Sequence, residues 1–273
     1  MKNKKNEYGE LGILSRKIRL SVLDMIHRTK SPHIGSSLSA VDILVALYFE
    51  IMNIDPKGQC GKNKDRFILS KGHACAALYA VMAERGIIDA DTINGFARNG
   101  GALEQHPNKH HCEGIEVSTG SLGHGLSIGA GMALSGKVDR KAYKVYVLLS
   151  DGEMNEGSVW EAVMFAAHQG LDNLIALVDA NKIQAMGCTK DIIGLDPISE
   201  KWRSFGWHVQ DIDGHDFREI INAFKNIMPG KPNAIILNTS KGKGVSFMEN
   251  NVLWHYRSPD EVEYRDARKE LAK

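Results

Sequence analysis

Residues 143–157 read YKVYVLLSDGEMNEG, and this stretch decides the fold. Its first half, Tyr143 to Leu149, is a short apolar run rich in β-branched and aromatic residues, which predicts a buried strand. An acidic loop with two glycines follows at once, and a helix is predicted from Ser158 to Gln169, where Gly170 ends it. A continuous apolar strand that runs into a helix is typical of a parallel sheet covered on both faces.

The same alternation continues toward the C-terminus. Apolar strands and amphipathic segments follow each other with short turns between them. The predicted elements are a strand from Leu174 to Val178, a helix from Ile198 to Phe205, a strand from Trp207 to Ile212, a helix from Asp216 to Met228 and a strand from Ala234 to Asn238. The sequence therefore predicts an α/β fold, a doubly wound parallel sheet with helices on both faces.

The first third of the chain is mainly helical by its apolar spacing. A helix is predicted from Gly9 to Lys30, and Ser39 is predicted to cap a second helix that runs to about Met52. A short strand is predicted from Arg66 to Leu69 and a further helix from Ala74 to Arg85. Because no long linker or internal repeat occurs, we expect residues 1–273 to form a single domain with an N-terminal helical extension.

The composition excludes several classes of protein. The 273 residues are 43% hydrophobic and carry a net charge of +1, so no electrostatic field favours nucleic acid or an anionic membrane. The N-terminal stretch lacks the apolar core of a signal peptide, and the longest apolar run, residues 41–52, is shorter than the roughly 20 residues of a membrane helix. The four cysteines form no CxxC pair, which favours free thiols. We therefore expect a cytoplasmic protein.

Polar residues follow two neighbouring predicted strands. Asp151 comes directly after the first, and Asn181 follows the second, thirty residues later. Strand ends in a doubly wound sheet converge, and a carboxylate beside a phosphate group is favourable only if a divalent cation lies between them. One Asp, one Asn amide and a backbone carbonyl suit the six-oxygen shell of Mg²⁺. The alternative is an ordinary βα loop, with Asp151 as a helix cap and Asn181 in a turn.

Short sequence motifs along the chain resemble those of transketolases and occur in the same order. They are Ser31-Pro-His-Ile-Gly35, Ser70-Lys-Gly-His-Ala74, Gln105-His-Pro107, Thr119-Gly-Ser-Leu-Gly-His-Gly125, Ser150-Asp-Gly-Glu-Met-Asn-Glu-Gly157 and Trp254-His255. The resemblance spans about residues 10–260. Residues 204–209, SFGWHV, and 241–251, KGKGVSFMENN, resemble in particular the N-terminal half that split transketolases encode as a separate chain.

This resemblance implies a site for thiamine diphosphate and Mg²⁺ on a thiamine-diphosphate-binding fold of the diphosphate-binding (PP) type. Asp151, Asn181 and the backbone carbonyl of Ile183 would hold Mg²⁺. The cofactor-binding set would be His73, Gly120, Leu122, Gly152, Glu156, Asn181 and His255, with Glu156 at an interface between paired active sites. His33, His106 and His255 would line the substrate channel as catalytic residues, whereas His168, His208 and His215 are interpreted as structural or surface residues.

The activity that the resemblance implies is transfer of a two-carbon ketol group from a ketose phosphate to an aldose phosphate, as in the pentose phosphate pathway. Such chemistry moves hydroxyl protons near neutral pH, which imidazole suits. The carboxylate that activates the cofactor lies in transketolases on the pyrimidine-binding (PYR) domain, beyond the part that this chain resembles. The resemblance therefore implies a partner, a C-terminal transketolase subunit with the PYR and C-terminal domains, in a heterotetramer of two such chains and two partners.

Three residues depart from the usual sequence motifs of the family: Pro32, Ser150 and Met186. Pro32 restricts the residue before it and is expected to affect His33 most. The segment Lys241-Gly-Lys243 follows a predicted strand and fits either a contact with the diphosphate or an exposed loop.

Two other functions stay open: a transketolase-like subunit for an unusual sugar phosphate, and a non-catalytic cofactor-binding module of a heteromer. A dinucleotide-binding protein is disfavoured, because Asp151 follows the strand where a GxGxxG turn is required.

Overall fold

The computed structural model describes residues 8–54 and 64–273 and contains a parallel sheet of five strands in the order β1-β2-β3-β5-β4. The strands are β1 (Arg66–Leu69), β2 (Val145–Ser150), β3 (Leu174–Ala180), β4 (His208–Asp213) and β5 (Asn233–Asn238). The helices are α1 (Gly9–Thr29), α2 (Ile34–Ala46), α3 (Cys75–Glu84), α4 (Gly125–Val138), α5 (Gly157–His168), α6 (Thr189–Ile192), α7 (Ile198–Ser204), α8 (Phe217–Lys225) and α9 (Glu261–Leu271). The predicted α/β fold with a doubly wound parallel sheet is confirmed.

The central strands separate two hydrophobic cores. Every residue of β2 and β3 is buried, and side chains that alternate along a strand enter opposite cores. Tyr146 and Leu148 pack into the core beneath α1, α2, α3 and α8, whereas Val145 and Val147 pack into the core beneath α4, α5 and α7. The uninterrupted apolar sequence of these strands follows from this burial on both faces.

Helix α2 lies in the first core, and all of its residues are buried. With the π-helical turn Leu47–Ile51 it is long and apolar enough to cross a membrane by length and composition alone, but 83% of the window Ile34–Ile51 is buried inside the protein. The prediction that Ser39 caps this helix is wrong, since the helix begins at Ile34 and the Ser39 hydroxyl lies 2.6 Å from Asp179 Oδ2. A helix buried on all sides has no polar face that marks its start.

The sequence did not predict α4 or α9. Helix α4 is rich in glycine, which depresses helix propensity, yet a Cβ atom on Gly129 would lie 2.5 Å from Val147 Cγ2. Glycine there allows the helix to pack closely on β2. Helix α9 begins at a capping box in which Asp260 and Glu263 bond each other's backbone amides. It packs on α1 through Tyr264, whose ring stacks on His27 at 4.0 Å.

The carboxyl ends of the strands lie at one edge of the sheet and carry polar loops. Lys71 follows β1, Asp151 follows β2, Asn181 follows β3 and Lys241 follows β5. In open parallel sheets this edge is where ligands bind. Cys75, Cys112 and Cys188 are free thiols, as predicted, and Cys60 lies outside the described residues.

Candidate active site

A pocket of about 260 Å³ opens at the carboxyl edge of the sheet. Ten residues that the sequence assigned to the site line this pocket: His33, His73, His106, Gly120, Leu122, Asp151, Gly152, Asn181, Ile183 and His255. Glu156 lies elsewhere, exposed at the start of α5 and next to Gly123. The residues brought together come from the loops after β1, β2 and β3, from the start of α2 and from two long connections.

Asp151 is one of the two carboxylates that line the pocket, and it is almost fully buried. Its Oδ1 atom accepts a hydrogen bond from the Gly152 amide at 2.7 Å, and its Oδ2 atom accepts one from the Lys182 amide at 2.5 Å. Burial raises the pKa of Asp151 to about 6, and the nearby Asp179 carboxylate acts in the same direction. A cation at this carboxylate would favour its ionised form.

Two neutral oxygens accompany Asp151. Asn181 Oδ1 lies 3.2 Å from the Ile183 amide that donates to it, and the Ile183 carbonyl accepts from Lys241 Nζ at 3.0 Å. Lys182 between them adopts φ 65°, a left-handed conformation that turns the chain sharply. A set of one carboxylate, one amide oxygen and one carbonyl consists of hard ligands with a single negative charge, which fits Mg²⁺ bound together with phosphate oxygens. Within residues 8–54 and 64–273 no group of three or more His, Cys, Asp or Glu side chains forms a separate metal site.

Two glycines form part of the wall of the same pocket. A Cβ atom on Gly152 would lie 2.8 Å from Gln184 Cγ, and one on Gly120 would lie 3.2 Å from His106 Cδ2. Larger residues would therefore fill space at the pocket wall. A wall without side chains beside a cation site allows a diphosphate group to approach the backbone closely.

Four histidines form a cluster over the pocket. The His33 ring centroid lies 5.3 Å from that of His73, 5.3 Å from that of His255 and 6.3 Å from that of His106. No residue in the described part of the chain hydrogen-bonds to a ring nitrogen of His33, His73 or His106. These nitrogens are therefore available to a ligand.

The histidines are held in their neutral form. Burial lowers the pKa of His33 to about 4, with His106, Lys241 and Lys71 acting in the same direction. Burial likewise lowers the pKa of His255 to about 3 and that of His73 well below its ordinary value. The pKa of His106 is lowered as well, again mainly by burial. Each neutral imidazole presents one donor and one acceptor nitrogen, as binding of sugar hydroxyls requires.

His33 joins this cluster despite Pro32. It adopts a left-handed conformation, φ 72°, immediately before α2, and its amide donates to the His255 carbonyl at 2.8 Å. Of the other two departures, Ser150 lines the pocket and Met186 does not. The hydroxyl of Ser150 accepts from the Glu153 amide at 3.2 Å, and Met186 is 85% exposed.

Lys241 belongs to the pocket, so its interpretation as part of an exposed loop is wrong. The side chain is 1% exposed, and its Nζ atom lies 2.7 Å from His255 Nδ1. Burial lowers the pKa of Lys241 to about 7, and Lys71 acts in the same direction. The position of Lys241 just after β5, at the ligand-binding edge, was the signal for this role.

Gln184, Glu153 and Tyr256 also line the pocket and were not predicted. Glu153 is 0% exposed, and its carboxylate accepts hydrogen bonds from the Gly123 amide at 2.9 Å, the Ser150 amide at 3.2 Å and the Ser70 hydroxyl. It therefore connects the loops after β1 and β2 to the loop before α4. No pattern in the sequence marks Gln184 or Tyr256, whose rim position depends on the tertiary fold.

Comparisons with known proteins agree with this geometry. The family described as transketolase, thiamine diphosphate binding domain, matches residues 13–272. The chain is 40% identical over 264 residues to one of the subunits of apulose-4-phosphate transketolase from Phocaeicola vulgatus, covering 96% of this chain and 94% of that protein. It is 43% identical over 258 residues to the 6-deoxy-6-sulfo-D-fructose transketolase subunit SqwG of a Clostridium species, covering 94% of each chain.

The fold of a solved transketolase from Campylobacter jejuni superposes with a TM-score of 0.89 at 27% identity. That alignment covers 96% of this chain but 42% of the Campylobacter chain, so the protein spans about two fifths of the length of such transketolases. The match extends over the pocket and over both cores. The chain therefore belongs to the transketolase family and corresponds to its thiamine diphosphate binding domain.

Proposed function

We propose that the chain is the thiamine-diphosphate-binding subunit of a split transketolase, which transfers a two-carbon ketol group in the cytoplasm once a partner subunit is bound. The main support for the proposal is that Asp151, Asn181 and the Ile183 carbonyl lie in one pocket with four neutral histidines. Residues 1–273 would form one domain. The PYR and C-terminal domains would lie on the partner, in a heterotetramer.

The loops at the carboxyl edge would hold the cofactor. Asp151 Oδ, Asn181 Oδ1 and the Ile183 carbonyl would bind Mg²⁺, and the Gly152 amide, His73 and Lys241 would meet the diphosphate. Gly120 and Leu122 would approach the cofactor through their backbones. Bound thiamine diphosphate would supply the electron sink for cleavage of the ketose.

The histidines would bind the substrate and move its hydroxyl protons. Lys241 donates to Nδ1 of His255, so the neutral ring of His255 carries its proton on Nε2 and donates from there. His33 and His106 have unpartnered ring nitrogens toward the same space. Their low pKa values favour hydroxyl binding by neutral rings, and an anion in the pocket would raise those values toward the range of general bases.

A second candidate concerns the substrate. The relatives with 40–43% identity along nearly their whole length are named for apulose 4-phosphate and 6-deoxy-6-sulfo-D-fructose. Human transketolase is 37% identical, and this chain covers 38% of it. The closer likeness to the specialised subunits favours a ketose with a phosphate or sulfonate group outside the ordinary pentose set.

Glu156, exposed beside Gly123, would face the interface between paired sites.

The test is reconstitution with the protein encoded beside this chain. Ketol transfer to ribose 5-phosphate would be measured with xylulose 5-phosphate, apulose 4-phosphate or sulfofructose as donor, with thiamine diphosphate and Mg²⁺. We expect activity only when both chains are present and loss of activity in Asp151→Ala. Asp191→Ala is the matched control, because Asp191 is an exposed carboxylate on α6. A reconstituted complex that binds the cofactor but cleaves none of the donors would support a non-catalytic module instead.

A further inference from the structure

A fully buried ion pair lies behind the pocket and does not line it. Lys71 Nζ contacts Asp179 Oδ2, and both side chains are 0% exposed. Two side chains of opposite charge are therefore in contact with each other, out of reach of water.

Hydrogen bonds from this pair reach two further elements. Asp179 Oδ2 also accepts from Ser39 Oγ at 2.6 Å, and Asp179 Oδ1 accepts from Thr239 Oγ1. Lys71 Nζ donates in addition to the Ser36 carbonyl at 3.2 Å. The pair thus ties together the loop after β1, helix α2, the end of β3 and the loop after β5.

Four of the tied residues stand two or three positions before or after a pocket residue, and Ser36 itself lines the pocket. Lys71 precedes His73, Asp179 precedes Asn181, Thr239 precedes Lys241, and Ser36 follows His33. Because only one or two residues separate each tied residue from its pocket residue, a displacement of the tied residue also moves the pocket residue. The position of the ion pair therefore sets the positions of four pocket side chains relative to one another.

Stability alone does not account for a pair of this kind. Removing two charges from water is unfavourable, and a buried ion pair is often no more stabilising than neutral residues of similar size. We propose that Lys71 and Asp179 are positioning residues, which fix His73, Asn181 and Lys241 in the arrangement that the cofactor requires. The cofactor part of this inference rests on the proposed function.

The test separates positioning from stability. Lys71→Met combined with Asp179→Asn removes both charges while keeping side-chain size, whereas Asp179→Asn alone leaves a buried ammonium unpaired. Arg66→Met combined with Glu116→Gln is the matched control, since Arg66 Nη1 pairs with Glu116 Oε2 at 3.0 Å at the amino end of β1, the opposite edge of the sheet. Thermal midpoint and amide hydrogen exchange would be measured on the full chain, and affinity for thiamine diphosphate with Mg²⁺ would be measured on the full chain together with its partner subunit.

We expect the neutral double variant to melt closer to the wild type than Asp179→Asn does. Its cofactor affinity should nevertheless fall about tenfold or more, the range seen when partners of metal ligands are removed. Hydrogen exchange should rise together in residues 71–75, 181–185 and 239–243, and the control variant should change neither property.

A double variant that binds the cofactor as tightly as the wild type, or exchanges no faster in these three segments, overturns the inference. If the wild type binds no thiamine diphosphate even with the partner subunit present, the proposed function fails. The exchange data then decide the positioning role without the cofactor: faster exchange in all three segments supports the role, and unchanged exchange overturns it.

Discussion

The Nζ atom of Lys241 lies 2.7 Å from Nδ1 of His255 and 3.0 Å from the carbonyl oxygen of Ile183. Both partners are neutral acceptors, and within the described residues no carboxylate comes within 4.0 Å of this ammonium group. A buried cation without an anionic partner is unfavourable until an anion is bound. Lys241 is thus placed to pair with an anionic ligand in the pocket.

Lys241→Met should weaken binding of thiamine diphosphate by about 10- to 100-fold, because a hydrogen bond to a charged group contributes ~1.5–3 kcal/mol. Isothermal titration of the full chain with the cofactor and Mg²⁺ checks this value. Lys243→Met is the control, since the Lys243 side chain is 37% exposed and pairs loosely with Glu249. Equal affinities for the two variants would exclude a role for Lys241 in diphosphate binding.

Gly72→Ala should destabilise the protein by about 1–3 kcal/mol, the usual effect of overpacking. A Cβ atom there would lie 2.8 Å from Thr119 Oγ1 and 3.0 Å from the Gly120 amide nitrogen, which is backbone and cannot rotate away. Gly131→Ala is the control: it lies within α4, where a Cβ atom meets nothing within 4 Å, and alanine should stabilise the helix by ~0.5–1 kcal/mol. Urea unfolding of both variants measures the difference, and effects of the same sign would contradict the packing argument.

The sequence predicted the strands that carry the site because burial on both faces leaves a plain apolar pattern, as in Val145–Ser150 and Leu174–Ala180. The polar residues just after these strands identified Asp151 and Asn181, since sheet topology alone brings strand ends together. Residues defined only by tertiary contacts escaped prediction. Glu153 and Tyr256 line the pocket, but they lie in segments between the main helices and strands, and hydrophobic periodicity does not predict where such segments lie in the fold.

Helix α4 was missed for a related reason. Four glycines in residues 123–131 indicate a loop by propensity, but the helix gains more from close packing on β2 than the glycines lose. The start of α2 was misplaced because its first turn is capped by no side chain and His33, at φ 72°, has no sequence signature of a helix boundary. Tertiary packing overrides local preference at both sites.

Glu153→Gln should destabilise the protein by about 1–3 kcal/mol, because the amide group cannot accept from the Ser70 hydroxyl and both amides at once. The NH2 group of glutamine would face either the Gly123 amide, 2.9 Å from Oε1 in the wild type, or the Ser150 amide, 3.2 Å from Oε2, so one of these amides would lose its acceptor and the contact between the loop before α4 and the end of β2 would loosen. Glu161→Gln, on the exposed face of α5, serves as the control. Faster hydrogen exchange confined to residues 119–125 and 150–153 in Glu153→Gln would support the explanation, whereas faster exchange spread evenly over the chain would contradict it.

The pocket histidines should make the protein less stable in mild acid. The pKa of His33 is lowered to about 4 in the folded chain by burial, while an unfolded histidine titrates near 6.5. Between these two values the unfolded state binds more protons, so the free energy of unfolding falls as pH decreases from about 6.5 to about 4. His33→Asn removes this group, and asparagine tolerates the left-handed backbone at φ 72°. Chemical unfolding across this pH range should therefore show a shallower decline in the variant than in the wild type, and parallel curves would show that His33 is not held neutral by its surroundings.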